Sequence, residues 1–111
     1  MKVIRRMVGT VEVFVPQDAL VEDGVDDLFS AIKESIDDPN PRIVLDMNDV
    51  GYADSVSLES LVTIADELGE RSQPFKLVGL TPTCREILSL TGLMDRFQYF
   101  DSVEAAVRSF L

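Results

Sequence analysis

Hydrophobic residues along the chain change period several times, and each change marks a predicted element. Val11, Val13 and Val15 alternate with Glu12 and Phe14; with Val3–Val8 across Gly9-Thr10 they predict a β-hairpin. Pro16 ends it, because proline has no N–H for a sheet ladder. After a polar loop, Gln17 to Gly24, the residues Val25, Leu28, Phe29, Ile32 and Ile36 recur at helical spacing. Asp23 is placed to cap that helix, and Asp38-Pro39-Asn40-Pro41 breaks it. Arg42 to Met47 reads as a strand buried on both faces, since Ile43, Val44 and Leu45 run together without alternation. A second helical stripe, Leu58, Leu61, Val62, Ala65 and Leu68, predicts a central helix over Ser55 to Glu70.

Phe75 to Leu80 is another short apolar run. Thr81-Pro82 then supplies a cap and a proline at the first helical position, where its missing N–H costs nothing. The helix that follows carries Cys84, Ile87 and Leu88 on one face and ends near Gly92. Phe97 to Phe100 predicts a last strand. Asp101-Ser102-Val103-Glu104 resembles a capping box opening a terminal helix with Val103, Ala106, Val107 and Phe110 inward. The predicted order is ββαβαβαβα, in which strands alternate with helices of crossover length after the first hairpin. That is the signature of an α/β domain with a mixed, mostly parallel sheet of about five strands and about four helices. No repeat or linker interrupts it, so residues 1–111 are expected to form one domain.

Composition narrows the function. With 46% apolar and 27% charged residues the chain has the balance of a soluble globular protein. No run approaches the length of a membrane span, so no direct membrane insertion is expected. The N-terminal charges precede only a short apolar stretch broken by Gly9 and Glu12, unlike a signal peptide. Cys84 is the one cysteine and has no disulfide partner in the chain, which fits a reducing cytoplasm. The formal net charge is −10, from 20 acidic and 10 basic residues. Nucleic-acid binding needs clustered Lys and Arg facing phosphate, and Arg5-Arg6 is the only basic pair. The acidity serves solubility or, in a sharper reading, a basic protein partner.

The chain contains no histidine, so a Ser-His-Asp triad and histidine metal sites are excluded. It also lacks a Gly-rich phosphate loop. Asp46-Met47-Asn48-Asp49-Val50-Gly51 begins like a calcium loop, but Val50 and Ser57 stand where two oxygen ligands belong. Asp46, Asp49 and Asp54 are better explained as turn and cap residues, and neither metal nor cofactor is expected. The remaining chemistry is Ser55. It stands beside Asp54 at the start of the central helix, where a short oxygen-bearing side chain caps free N–H groups. The same place also welcomes an added phosphate.

Three stretches carry a family resemblance: Ile43-Val44-Leu45-Asp46, Val50-Gly51-Tyr52-Ala53-Asp54-Ser55-Val56-Ser57-Leu58, and Phe75-Lys76-Leu77-Val78-Gly79-Leu80-Thr81-Pro82. With Leu90-Thr91-Gly92-Leu93 and Phe97, the chain resembles the STAS domain of bacterial anti-sigma factor antagonists over nearly its whole length. The resemblance implies a non-enzymatic partner-switching regulator of transcription. In that family the serine after the motif aspartate is phosphorylated by a serine kinase that doubles as anti-sigma factor and uses ATP. A metal-dependent serine phosphatase reverses the modification. Carried over, the acceptor is Ser55, with Ser57 as the alternative, and the partner face comprises Gln17, Asp18, Asp54, Ser55, Val56, Ser57, Leu58 and Glu59. The family motif continues with a small residue and glycine, where this chain has Val56 and Ser57. Adaptor subunits of signalling scaffolds or lipid-transport complexes are the other role the family offers.

Overall fold

The computed structural model describes all 111 residues. Five strands form one sheet: β1 (Val3–Val8), β2 (Val11–Pro16), β3 (Ile43–Asp46), β4 (Lys76–Val78) and β5 (Gln98–Phe100). Their spatial order is their chain order; β1 and β2 are antiparallel and every other pair is parallel. The helices are α1 (Asp26–Ile36), α2 (Ser55–Glu70), α3 (Pro82–Leu90) and α4 (Val103–Arg108). The expected element order is therefore present, with one addition: a short 3-10 turn at Met94–Arg96 before β5. Its sequence has too few residues to establish a period, which is why the pattern did not announce it.

Side-chain alternation along the strands divides the apolar residues between two layers. Phe14, Ile43, Leu45 and Leu77 belong to the larger core, which also holds the buried faces of α1, α2 and α3. Val11, Val13, Val44 and Val78 point to the other side, where Ala106 of α4 closes a small second core. β2 thus differs from a half-exposed strand, because Phe14 is as fully buried as its valine neighbours on the opposite face. Lys76 also lies in the sheet and is only 2% exposed. Its ammonium donates to Ser109 Oγ and lies 3.7 Å from the centre of the Phe110 ring and 5.3 Å from that of Phe100. It forms no ion pair. Desolvation, with a smaller contribution from Arg42, holds its pKa below the ordinary lysine value.

Two helix starts differ from the sequence expectation. The residue before α1 is Val25, with no side-chain cap, so Asp23 does not fill that role. Asp26 and Asp27 instead face the partial positive charge of the first turn. At α4 the cap is Ser102, whose Oγ accepts from Ala105 N at 3.1 Å, one position beyond Asp101. The caps of the other helices are as the sequence implies: Asp54 for α2, and Thr81 ahead of Pro82 for α3. Gly79 just past β4 adopts a φ of +66°, and a Cβ there would fall on the Asn48 side chain, so the position requires glycine.

Candidate functional site at the start of the central helix

β3 ends at Asp46, and the chain turns through Met47 to Asp54 before α2 begins at Ser55. This places α2's N-terminus beyond the carboxyl end of a central parallel strand, where ligand and partner sites of α/β sheets gather. The turn is built by its own polar side chains. Asp46 Oδ1 accepts from Asn48 N at 3.0 Å and Asn48 Nδ2 at 2.7 Å, and Asp49 Oδ2 accepts from Gln17 Nε2 at 3.1 Å. Asp46, Asp49 and Asp54 are therefore each committed to separate hydrogen bonds, and no group of three acidic or thiol side chains converges as a cation site.

Asp54 ties two segments together. One carboxylate oxygen accepts from Ser57 N at 2.8 Å, the N-cap bond of α2; the other accepts from Glu22 N at 2.8 Å. The backbone completes the clamp, with Asp54 N donating to Leu20 O and Leu20 N donating to Tyr52 O, both at 2.9 Å. The loop after β2 is thereby fixed against the entrance to the central helix. The Ser57 and Glu22 amides also stabilise the charged carboxylate, and its pKa lies below the ordinary aspartate value for that reason, the Ser57 N–H contributing most. The Ser57 hydroxyl is close enough to add to this lowering, yet it meets no acceptor or donor with hydrogen-bond geometry.

The two serines differ sharply in access. Ser55 is exposed at the first position of α2, whereas Ser57 is 0% exposed and packs beneath the helix. Leu58, also expected on the partner face, is buried at 1%. Gln17, Asp18, Val56 and Glu59 are exposed, and Asp54 is partly so. Three large apolar side chains stand out of this surface: Val21 at 37%, Val56 at 45% and Tyr52 at 49% exposed. A groove of about 180 Å³ adjoins Ser55, lined by Leu58, Glu59, Thr91 and Leu93. A larger one of about 500 Å³ separates α1 from α2, with Phe29 and Ile64 among its lining and Asp26 and Lys33 on the α1 side. The sequence pattern singled out Gln17, Asp18 and the residues from Asp54 to Glu59, and did not single out the exposed Tyr52 and Val21. The isolated apolar residues of a polar loop were the available signal.

Charge is distributed unevenly around this site. The segments Gln17–Ile32 and Ile43–Glu70, which build it, carry five and seven of the 20 acidic residues and none of the 10 basic ones. Cys84 lies below, buried, with its Sγ 3.4 Å from Val50 O, and so serves packing. No helix is long and apolar enough to cross a membrane.

Residues 6–106 match the family model of the STAS domain, and the chain belongs to that family. Among curated proteins it is 28% identical over 83 residues to BtrV of Bordetella bronchiseptica, which bears the name of an anti-sigma factor antagonist. That alignment covers 75% of this chain and 72% of BtrV. A solved anti-sigma factor antagonist from Mycobacterium paratuberculosis superposes with a TM-score of 0.84 at 24% identity, covering 97% of this chain and 92% of that one. SpoIIAA superposes in its unphosphorylated form with a TM-score of 0.80 at 19% identity, covering 98% and 96% of the two chains. The phosphorylated form, from Bacillus, gives 0.75 at 18% identity, covering 99% and 100%. At such identities the structural likeness is one of fold, and that fold is the one found in anti-sigma factor antagonists.

Proposed function

We propose that the protein is a partner-switching regulator of the anti-sigma factor antagonist kind, controlled by reversible phosphorylation of Ser55. The observation that carries this reading is the contrast at the start of α2: Ser55 is exposed, while Ser57 two residues on is fully buried. Only the first can reach a kinase in the folded protein. A phosphate on Ser55 meets the helix N-terminus, where the first amides lack intrahelical acceptors. The fold tolerates it, since the Asp54 cap uses different atoms. The added charge of about −1.5 to −2 instead falls among two segments that carry no lysine or arginine, and changes what can dock there.

In this reading the protein is a substrate and a binding partner, and catalysis belongs to others. The unmodified face, with Gln17, Asp18, Asp54, Ser55, Val56 and Glu59, holds a serine kinase that uses ATP and acts as anti-sigma factor. Phosphorylation releases it, and a metal-dependent phosphatase restores the binding form. BtrV, the relative with 28% identity, supports the anti-sigma factor antagonist assignment. The test is intact mass and peptide mapping after incubation with ATP and a soluble extract of the host cells. One phosphate on Ser55, absent from Ser55→Ala, is expected. No phosphate under conditions that modify a control STAS substrate overturns the switch and leaves a constitutive adaptor. Once the kinase is in hand, Ser55→Asp must bind it more weakly than wild type while melting at the same temperature; equal binding refutes charge-driven release.

A further inference from the structure

The surface around Ser55 has a chemical character that constrains its partner more closely than the presence of an acceptor serine does. Val56 follows Ser55 directly and is 45% exposed; one such side chain is ordinary on a protein surface, and what distinguishes it here is its neighbours. Tyr52, 49% exposed, precedes the cap, and Val21, 37% exposed, comes from the loop after β2. These three are not independent. Glu22 N bonds to Asp54 Oδ2, and Leu20 exchanges backbone bonds with Tyr52 and Asp54, so the loop bearing Val21 is held against the segment bearing Tyr52 and Val56. The result is a fixed pairing of two backbone segments near Ser55 that bear these three exposed apolar residues. Around it lie Asp18, Glu22, Asp49 and Glu59, and the two segments contribute no lysine or arginine.

We propose that Val56, supported by Tyr52 and Val21, is the specificity-determining anchor of this face, and that the partner presents an apolar pocket rimmed by Lys and Arg. This rests on the reading of Ser55 as the acceptor and adds the chemistry by which its kinase is chosen. An apolar anchor inside a charged rim is the arrangement in which a few desolvated side chains carry most of the binding energy. The rim sets encounter rate and salt dependence. To a nucleotide triphosphate the two segments offer the amides at the start of α2 but no lysine or arginine. The partner therefore supplies cations for the ATP phosphates. Val56 touches none of the reacting atoms, so it acts on docking and leaves the transfer step alone.

The experiment compares wild type, Val56→Ala, Val56→Ile and Ser55→Ala over a range of protein concentrations with ATP and host soluble extract. Phosphate on the Ser55 peptide is counted by mass spectrometry, and thermal melts establish that every variant is folded. Val56→Ala is expected to raise the half-saturating concentration about tenfold, the scale of losing one anchor, with the limiting rate unchanged. Val56→Ile should restore it, and added salt should raise it for wild type. Phosphorylation of Val56→Ala on Ser55 with wild-type saturation overturns the anchor and leaves the Ser55 reading intact. Saturation indifferent to salt overturns the basic rim. Absence of phosphate from every variant, while a control STAS substrate is modified, removes the Ser55 reading and this inference with it.

Discussion

Ser57→Ala is a direct test of how the start of the central helix is packed. The Ser57 amide caps onto Asp54 and survives the substitution, whereas the hydroxyl is fully buried without a partner. An unpartnered buried hydroxyl costs about 1–3 kcal/mol, and deleting it returns that amount. Alanine adds about 0.5 kcal/mol of helix propensity over serine. Against this stands a void of roughly 10 Å³, worth about 0.2 kcal/mol at the usual cavity coefficient. The balance is a stabilisation of about 1–3 kcal/mol. For a chain of this length that raises the melting temperature by roughly 4–15 °C. In urea the midpoint should move up by about 1–2 M with an unchanged slope. A parallel NMR titration should find the Asp54 carboxyl still below the ordinary aspartate value, held there by the Ser57 and Glu22 amides that remain. A loss of stability together with a rise in the Asp54 pKa would refute the reasoning, because it would mean that the hydroxyl donates to that carboxylate.

Two further predictions concern other parts of the fold. Burial holds the Lys76 ammonium below the ordinary lysine value of 10.5, so the unfolded chain binds that proton more tightly than the folded one. Stability contributed by this group therefore rises with pH between the depressed folded value and 10.5, and Lys76→Met should remove that slope in denaturation curves taken across the alkaline range. Gly79→Ala places a Cβ in the left-handed region and against Asn48; it should destabilise by at least about 1 kcal/mol, and a smaller loss by urea denaturation would mean the turn rearranges freely.

Much of this architecture was legible because local chemistry and long-range packing agree. The bounds of α2, Ser55–Glu70, follow from an Asp cap ahead of an uninterrupted stripe, and α3 begins where Thr-Pro says it should. The cap of α1 was misread for a long-range reason: the loop is anchored through the Glu22 amide to Asp54, 32 residues away, and the helix then starts past Asp23. The burial of Lys76 also has a long-range cause, since the Phe100 and Phe110 rings are brought over it from the last strand and the end of the chain. At the site, Ser55 could be named as the candidate from the motif, but the inaccessibility of Ser57 and the joining of the Val21 loop to the Tyr52 segment depend on packing and on a loop contact that no spacing encodes.

The agreement between strand order in space and strand order in sequence has a consequence for how the molecule is assembled. No strand has to be inserted between two that are already paired. A chain emerging from the ribosome can add each strand to a free edge as it appears, and each crossover helix can settle on the growing sheet before the next strand is made. One face matures late. Val13, Val44 and Val78 lack their main cover until Val103–Arg108 has been synthesised, so a nascent chain stopped at residue 100 would carry all five strands with one face of the sheet bare. Such an intermediate is the point at which this protein would most need a chaperone.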